Sequence, residues 1–287
     1  MRTRKRLGIT LALVARLGAR CALGLVVLLT GCSLTNRQTR VDSFTVGASP
    51  RLEADVEISR LMVRAGDAVQ VRVETTLRHA RQTDYRVSQE GDTIRVSVRM
   101  QQGFSAISLY EPVEITITVP PTSDLVLTSS SGYVYVSGVA GHSTLTSSSG
   151  GVQVSDSEGI LELSTQTGSV VCRRTRGDVQ IRSDIGHVDL TDASGTFDIV
   201  TETGPIHFEG QLTTDKPHRF ASSSGEIDLR LLGSPDLTVD AYSQAGTVRC
   251  MVEMTTTASA RTLCKGVIGA GVGKLEVQTS TGAITIR

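Results

Sequence analysis

Glycine recurs at an interval of 18 residues, at Gly132, Gly150, Gly168, Gly186 and Gly204, and the same alternation follows each one. Two and four residues further on come Val134 and Val136, Val152 and Val154, Val170 and Cys172, Val188 and Leu190, Ile206 and Phe208. A second series, Gly141, Gly159, Gly177 and Gly195, runs half a period out of step and mostly leads into pairs such as Leu161 and Leu163, Val179 and Ile181, Phe197 and Ile199. Period-two alternation marks half-buried strands. Glycine tolerates the positive φ of a corner, and the serine runs beside it (Ser129 to Ser131, Ser147 to Ser149, Ser222 to Ser224) satisfy backbone groups in turns. Two strands per period make one coil of a solenoid. Four aliphatic side chains per coil bury too little to offset the ordering of a whole coil, so the unit of stability is the array.

The register stretches beyond Gly204. Gly225 and Gly246 follow at intervals of 21, and Gly282 lies 36 beyond Gly246, which reads as two further coils in succession. The inward slots there hold Ile227 and Leu229, Val248 and Cys250, Leu275 and Val277, Ile284 and Ile286. The pattern is lost over 251–272, so that segment is expected to leave the wall. Regular coils are expected over 122–287, entered through Pro120-Pro121. Residues 43–121 alternate at irregular spacing, as in Val69 to Val73, Ile94 to Val98 and Val113 to Val119, with a Gly91-Asp92 turn and a loop holding Phe104 and Tyr110. They read as an entrance cap or, equally, as the first irregular coils of the same solenoid.

The recurring Ser/Thr-x-x-Gly-x-Ile/Val-x-Val/Leu, ending in Thr279-Ser280-Thr281-Gly282-Ala283-Ile284-Thr285-Ile286, resembles the bacterial envelope family of putative adhesin domains over residues 44–287. The resemblance implies a right-handed parallel β-solenoid, and with less force adhesion. It brings no catalytic residues, and the sensors of envelope stress encoded beside such genes offer an alternative role.

The first residues carry an address. Arg2, Arg4, Lys5, Arg6, Arg16 and Arg20 precede an apolar run from Cys21 to Leu29, too short to span a membrane but suited to a secretory signal over 1–31. Leu29-Thr30-Gly31-Cys32 resembles the lipobox of bacterial lipoproteins, which implies lipidation of Cys32, a polar tether over 32–42, and an outer-membrane destination where one exists, since Ser33 follows. The plainer alternative is an ordinary signal with Cys32 an incidental thiol. Without the signal, 23 basic side chains face 29 acidic ones, a net charge of about −6 that argues against nucleic acid as a partner.

Chemistry is harder to find. The third residue after successive corner glycines gives a column of Asp189, His207, Asp228 and Arg249. Asp-His-Asp sets can bind a transition metal and Asp-His pairs can move protons. On a flat, wet wall the plainer reading is a solvated charge ladder, with no metal and no cofactor. Glu162, Asp178 and Asp198 share no column and read as exposed carboxylates. No Gly-x-Ser-x-Gly elbow occurs, tryptophan is absent and aromatics are 3%, which disfavours a polysaccharide-acting enzyme on minimal coils. Cys250 and Cys264 flank the excursion and either form a disulfide, worth about 3 kcal/mol, or fill space as thiols, as Cys172 does. The expectation is a non-catalytic binding, adhesion or scaffold module whose partner is an envelope protein, a surface polymer or a second copy.

Overall fold

A computed structural model of the chain describes residues 37–67, 69–77, 80–101 and 113–287, and every regular element in them is a β-strand. The signal segment, Cys32, and the loop with Phe104 and Tyr110 lie outside the described residues. Thr35–Arg287 forms one unit.

Six strands precede the regular repeats: β1 (Gln38–Thr45), β2 (Arg51–Ala65), β3 (Gln70–Leu77), β4 (Thr83–Glu90), β5 (Thr93–Met100) and β6 (Val113–Val119). Eight build the repeats: β7 (Asp124–Ser137), β8 (Ala140–Ser149), β9 (Val152–Ser155), β10 (Glu158–Thr167), β11 (Val170–Arg173), β12 (Arg176–Ile185), β13 (Val188–Thr203) and β14 (Ile206–Leu212). Within the repeats residues pair in parallel with those 18 positions later, as in Val134↔Val152, Val152↔Val170, Val170↔Val188 and Val188↔Ile206 on one wall, until a register shift between Thr191 and Ala193. On the other wall Leu125↔Ser143↔Leu161↔Val179↔Phe197 stack in the same way. Apart from Ser143, also buried, these are the aliphatic and aromatic slots read from the sequence, and none is more than 2% exposed. The inward pairs therefore form one continuous apolar interior between two walls.

The region before residue 121 belongs to the same stack. β2 pairs in parallel with β7 through Leu52↔Leu125 and Leu61↔Val134, while its other edge takes β5 (Leu52↔Ile94) and β6 (Leu61↔Ile115). β5 and β6 thus lie on one edge of β2 and β7 on the other. Antiparallel strands then close the outer edge: β4 on β5, β3 on β6, and β1 on β3. Residues 38–42, expected in the tether, are part of β1. Their mostly exposed side chains leave no alternation to read, because the strand is made by backbone pairing with β3.

The last strands are β15 (Pro217–Ser224), β16 (Ile227–Leu231), β17 (Leu237–Ser243), β18 (Val248–Cys250), β19 (Thr255–Ala260), β20 (Leu263–Ile268), β21 (Gly273–Thr281) and β22 (Ile284–Ile286). Their order in space is not their order in sequence. β15 and β16 pair with β21 and β22, which pair in turn with β17 and β18. The C-terminal coil is inserted between two coils made before it. This corrects the expectation of sequential coils at Gly246 and Gly282. Segment 251–272 does not leave the wall either, since β20 pairs antiparallel with β17, and β19 with β20. With antiparallel strands at both ends, the sheet is mixed, whereas the expected parallel solenoid allowed irregular strands only before residue 121.

Candidate functional site

The expected column of Asp189, His207, Asp228 and Arg249 holds for its first three members and is interrupted before the fourth. Asp189 pairs with His207 and His207 with Asp228, but the next neighbour of Asp228 is Thr285, with Arg249 one strand beyond, because the terminal coil intervenes. His207 Nδ1 lies 3.6 Å from Asp228 Oδ2, and that oxygen already accepts from Arg287 at 2.9 Å. One buried oxygen on each of Asp189 and Asp228 has no hydrogen-bond partner. Among the described residues no three His, Cys, Asp or Glu side chains converge to hold a metal. Of the other carboxylates, Glu162 accepts from Thr144, Asp178 from Lys216 and Asp198 from Arg182.

Cys250 and Cys264 form a disulfide with Cα atoms 6.6 Å apart, joining the end of β18 to β20. Cys172 fills an inward slot, and burial pushes its thiol up to about 12, so it is not a nucleophile at neutral pH.

A groove of about 540 Å³ opens beside the start of β15 and β21, against β17 and the β19–β20 hairpin. Lys216, Lys265 and Lys274 line it, with Asp215 and Asp240 between them. Lys216 binds both oxygens of Asp178 at 3.1 Å, Lys265 binds Asp240 at 2.8 Å, and Lys274 binds Glu276 at 3.1 Å. All three side chains are about half exposed. The sequence reading missed this groove because its lysines are far apart along the chain. A family model described as Toastrack DUF4097 matches residues 50–287.

The chain belongs to the Toastrack DUF4097 family.

No curated protein matches it. Three solved structures overlay on it: a putative cell adhesion protein from Clostridium sporogenes, a putative adhesin from Bacteroides fragilis and a putative lipid binding protein from Parabacteroides distasonis. Their identities are 11%, 8% and 13%, and their TM-scores 0.31, 0.42 and 0.32. The overlays cover 87%, 87% and 88% of this chain and 99%, 97% and 98% of theirs. Scores this low leave them without weight on function.

The motif of this Toastrack chain has a physical basis at the corners. The Ser or Thr three residues before a corner glycine is buried, and at four corners its hydroxyl donates to the glycine carbonyl one coil away, whereas the hydroxyls of Ser129, Ser147, Ser183 and Thr201 have no partner. Thr165 reaches Gly150, Ser222 reaches Gly204, Thr279 reaches Gly225 and Ser243 reaches Gly282, at 2.8–3.2 Å. The hydroxyls are structural.

The opposite corner has a left-handed column that the glycine pattern does not flag: Gly138, Asp156, Arg174 and Asp192, with φ of 74°, 53°, 51° and 54°. A side chain in that conformation costs about 1–2 kcal/mol, some of which glycine's greater freedom in the unfolded chain offsets. Asp192→Gly is therefore expected to raise stability by about 0.5–1 kcal/mol, read as a higher denaturant midpoint, and a lower midpoint would contradict the strain.

His218 occupies an inward slot beside Phe197 and is 1% exposed. Its Nδ1 accepts from the Phe197 N–H at 3.3 Å, which leaves Nε2–H to donate to the Thr213 carbonyl at 2.7 Å and fixes one neutral tautomer. Burial lowers its pKa, against the opposing pull of the Thr213 carbonyl and Asp215. The unfolded chain therefore takes up this proton first as pH falls. The stability from neutral His218 is complete above about pH 6.5 and is lost as pH drops from there through the folded pKa, by at most about 1.4 kcal/mol per unit. Unfolding titrations at a series of pH values are expected to show this acid slope in the native chain and its loss in His218→Leu. Parallel pH profiles would remove the assignment.

Proposed function

We propose that the chain is an exported, lipid-anchored binding module of the cell envelope, a right-handed parallel β-solenoid in its central coils that hangs from Cys32 and acts without catalysis. The groove carried by β15, β17, β20 and β21 supports this reading most directly. All four of these strands are paired on both edges, so the groove is formed before any ligand arrives. Ready-made concavity of this size is the usual form of a binding site. The lipobox-like ending at Cys32 supports the anchor, and the strong preference of parallel crossovers for one hand supports the right-handed winding. A surface polymer suits the reading, because a tethered wall of stacked strands can be held before a long ligand at high local concentration.

Two measurements test it. Labelling with a palmitate analogue is expected to mark the native chain and not Cys32→Ala; equal labelling would end the anchor proposal. The chain without its signal is expected to cosediment with polymer purified from its own cell envelope, and failure to do so would end the polymer-binding reading.

A further inference from the structure

Residues 32–287 contain 20 arginines and three lysines, and all three lysines line the one groove. Sequence proximity does not account for it, since Lys216 is far along the chain from Lys265 and Lys274. Lys216 immediately precedes β15, Lys274 is on β21 and Lys265 is on β20. The register Pro217↔Lys274↔Thr238, with Asp240↔Lys265, sets them across four adjacent strands. At strand spacing the row is about 14 Å long, the length of a few sugar units rather than of a single small ion.

Lysine and arginine do different work here. Arg174 grips Asp156 with two nitrogens, a fixed fork, whereas each lysine offers a compact charge on a flexible stem. The lysine pairs with Asp178, Asp240 and Glu276 are half exposed and hold weakly, so an incoming carboxylate replaces like with like. Asp215 and Asp240 repel a doubly charged phosphate more than a singly charged carboxylate, and they accept hydrogen bonds from hydroxyls. Val272, 67% exposed on the rim, offers an apolar contact for C–H groups.

We propose that this groove binds an acidic saccharide, a short run of sugars bearing carboxylates, with Lys216, Lys265 and Lys274 meeting the acid groups and Asp215 and Asp240 the hydroxyls. The proposal names the ligand class for the binding module above and rests on that reading for the polymer's place in the envelope.

Calorimetry of the chain without its signal tests it, using a tetramer of galacturonate, a neutral galactose tetramer and inorganic phosphate as probes. The galacturonate tetramer is expected to bind and the other two not. Binding should weaken about 10-fold or more in the triple variant Lys216→Gln, Lys265→Gln, Lys274→Gln, and likewise between about 50 and 300 mM salt. Arg230→Gln, on the other wall, should leave it unchanged. The triple variant should keep the native unfolding midpoint. Should it not fold, each single substitution is expected to weaken binding about two- to five-fold. Equal affinity in the lysine variants, phosphate binding as tight as the tetramer's, or no tetramer binding would overturn the proposal. Cosedimentation with envelope polymer in the absence of tetramer binding would sink this ligand class and leave the binding module standing.

Discussion

Gly168→Ala is expected to remove at least about 3 kcal/mol. Gly168 has φ of 149°, a region that side chains rarely enter, and a Cβ there would lie 2.0 Å from the carbonyl oxygen of Gly150. The obstacle is backbone, held by hydrogen bonds on both sides, so no rotamer change relieves it. The same contact recurs along the column, with Gly186 against Gly168 at 1.8 Å and Gly204 against Gly186 at 2.0 Å. The glycines thus set how closely the coils approach, and alanine must either strain the corner or push neighbouring coils apart. Gly91→Ala is the control. Gly91 also has positive φ, 59°, but nothing lies within 4 Å of its Cβ position, so only the conformational cost of about 1 kcal/mol applies. Denaturant unfolding should separate the two variants by a wide margin, and equal shifts would show that close approach between coils is not what the glycines are for.

Ile284→Ala should cost about 2–5 kcal/mol, although the residue is close to the C-terminus. Its side chain is fully buried, with Ile227 facing it from one coil and Val248 from the other. A cavity there has walls that belong to three coils and cannot collapse by fraying. Were the coils stacked in sequence order, Ile284 would sit in a terminal coil with one open side, and truncation would cost about 1 kcal/mol or less. Double-mutant cycles sharpen the test. Ile284 should couple to both Ile227 and Val248, whereas sequence order leaves Ile227 uncoupled.

The central coils were legible because one period places equivalent residues at equivalent depth. Val134, Val152, Val170 and Val188 could not all face inward in any other register. Stacking order at the ends was not legible, since Val248-x-Cys250 and Ile284-x-Ile286 fit either position equally well and only pairing selects between them. The error carried into the candidate site. Arg249 was expected beside Asp228, where Thr285 stands, and the three lysines of the groove come together only once β21 is placed between β15 and β17. β1 was missed for another reason: it is a strand by backbone pairing, with little apolar pattern. His218 was overlooked because a histidine in an alternating run, Pro217-His218-Arg219-Phe220, reads as exposed until its slot is known to be inward.

The inserted terminal coil also bears on how the molecule comes to be made. A ribosome delivers residues 217–231 and 237–250 well before residue 286, yet the layer that joins them emerges only after both. Growth from the first coil must therefore halt at β16 with a bare edge, and the final segment acts as a keystone, locking an arch whose two sides were already waiting. A chain cut short by even this small tail forfeits closure of the whole far end.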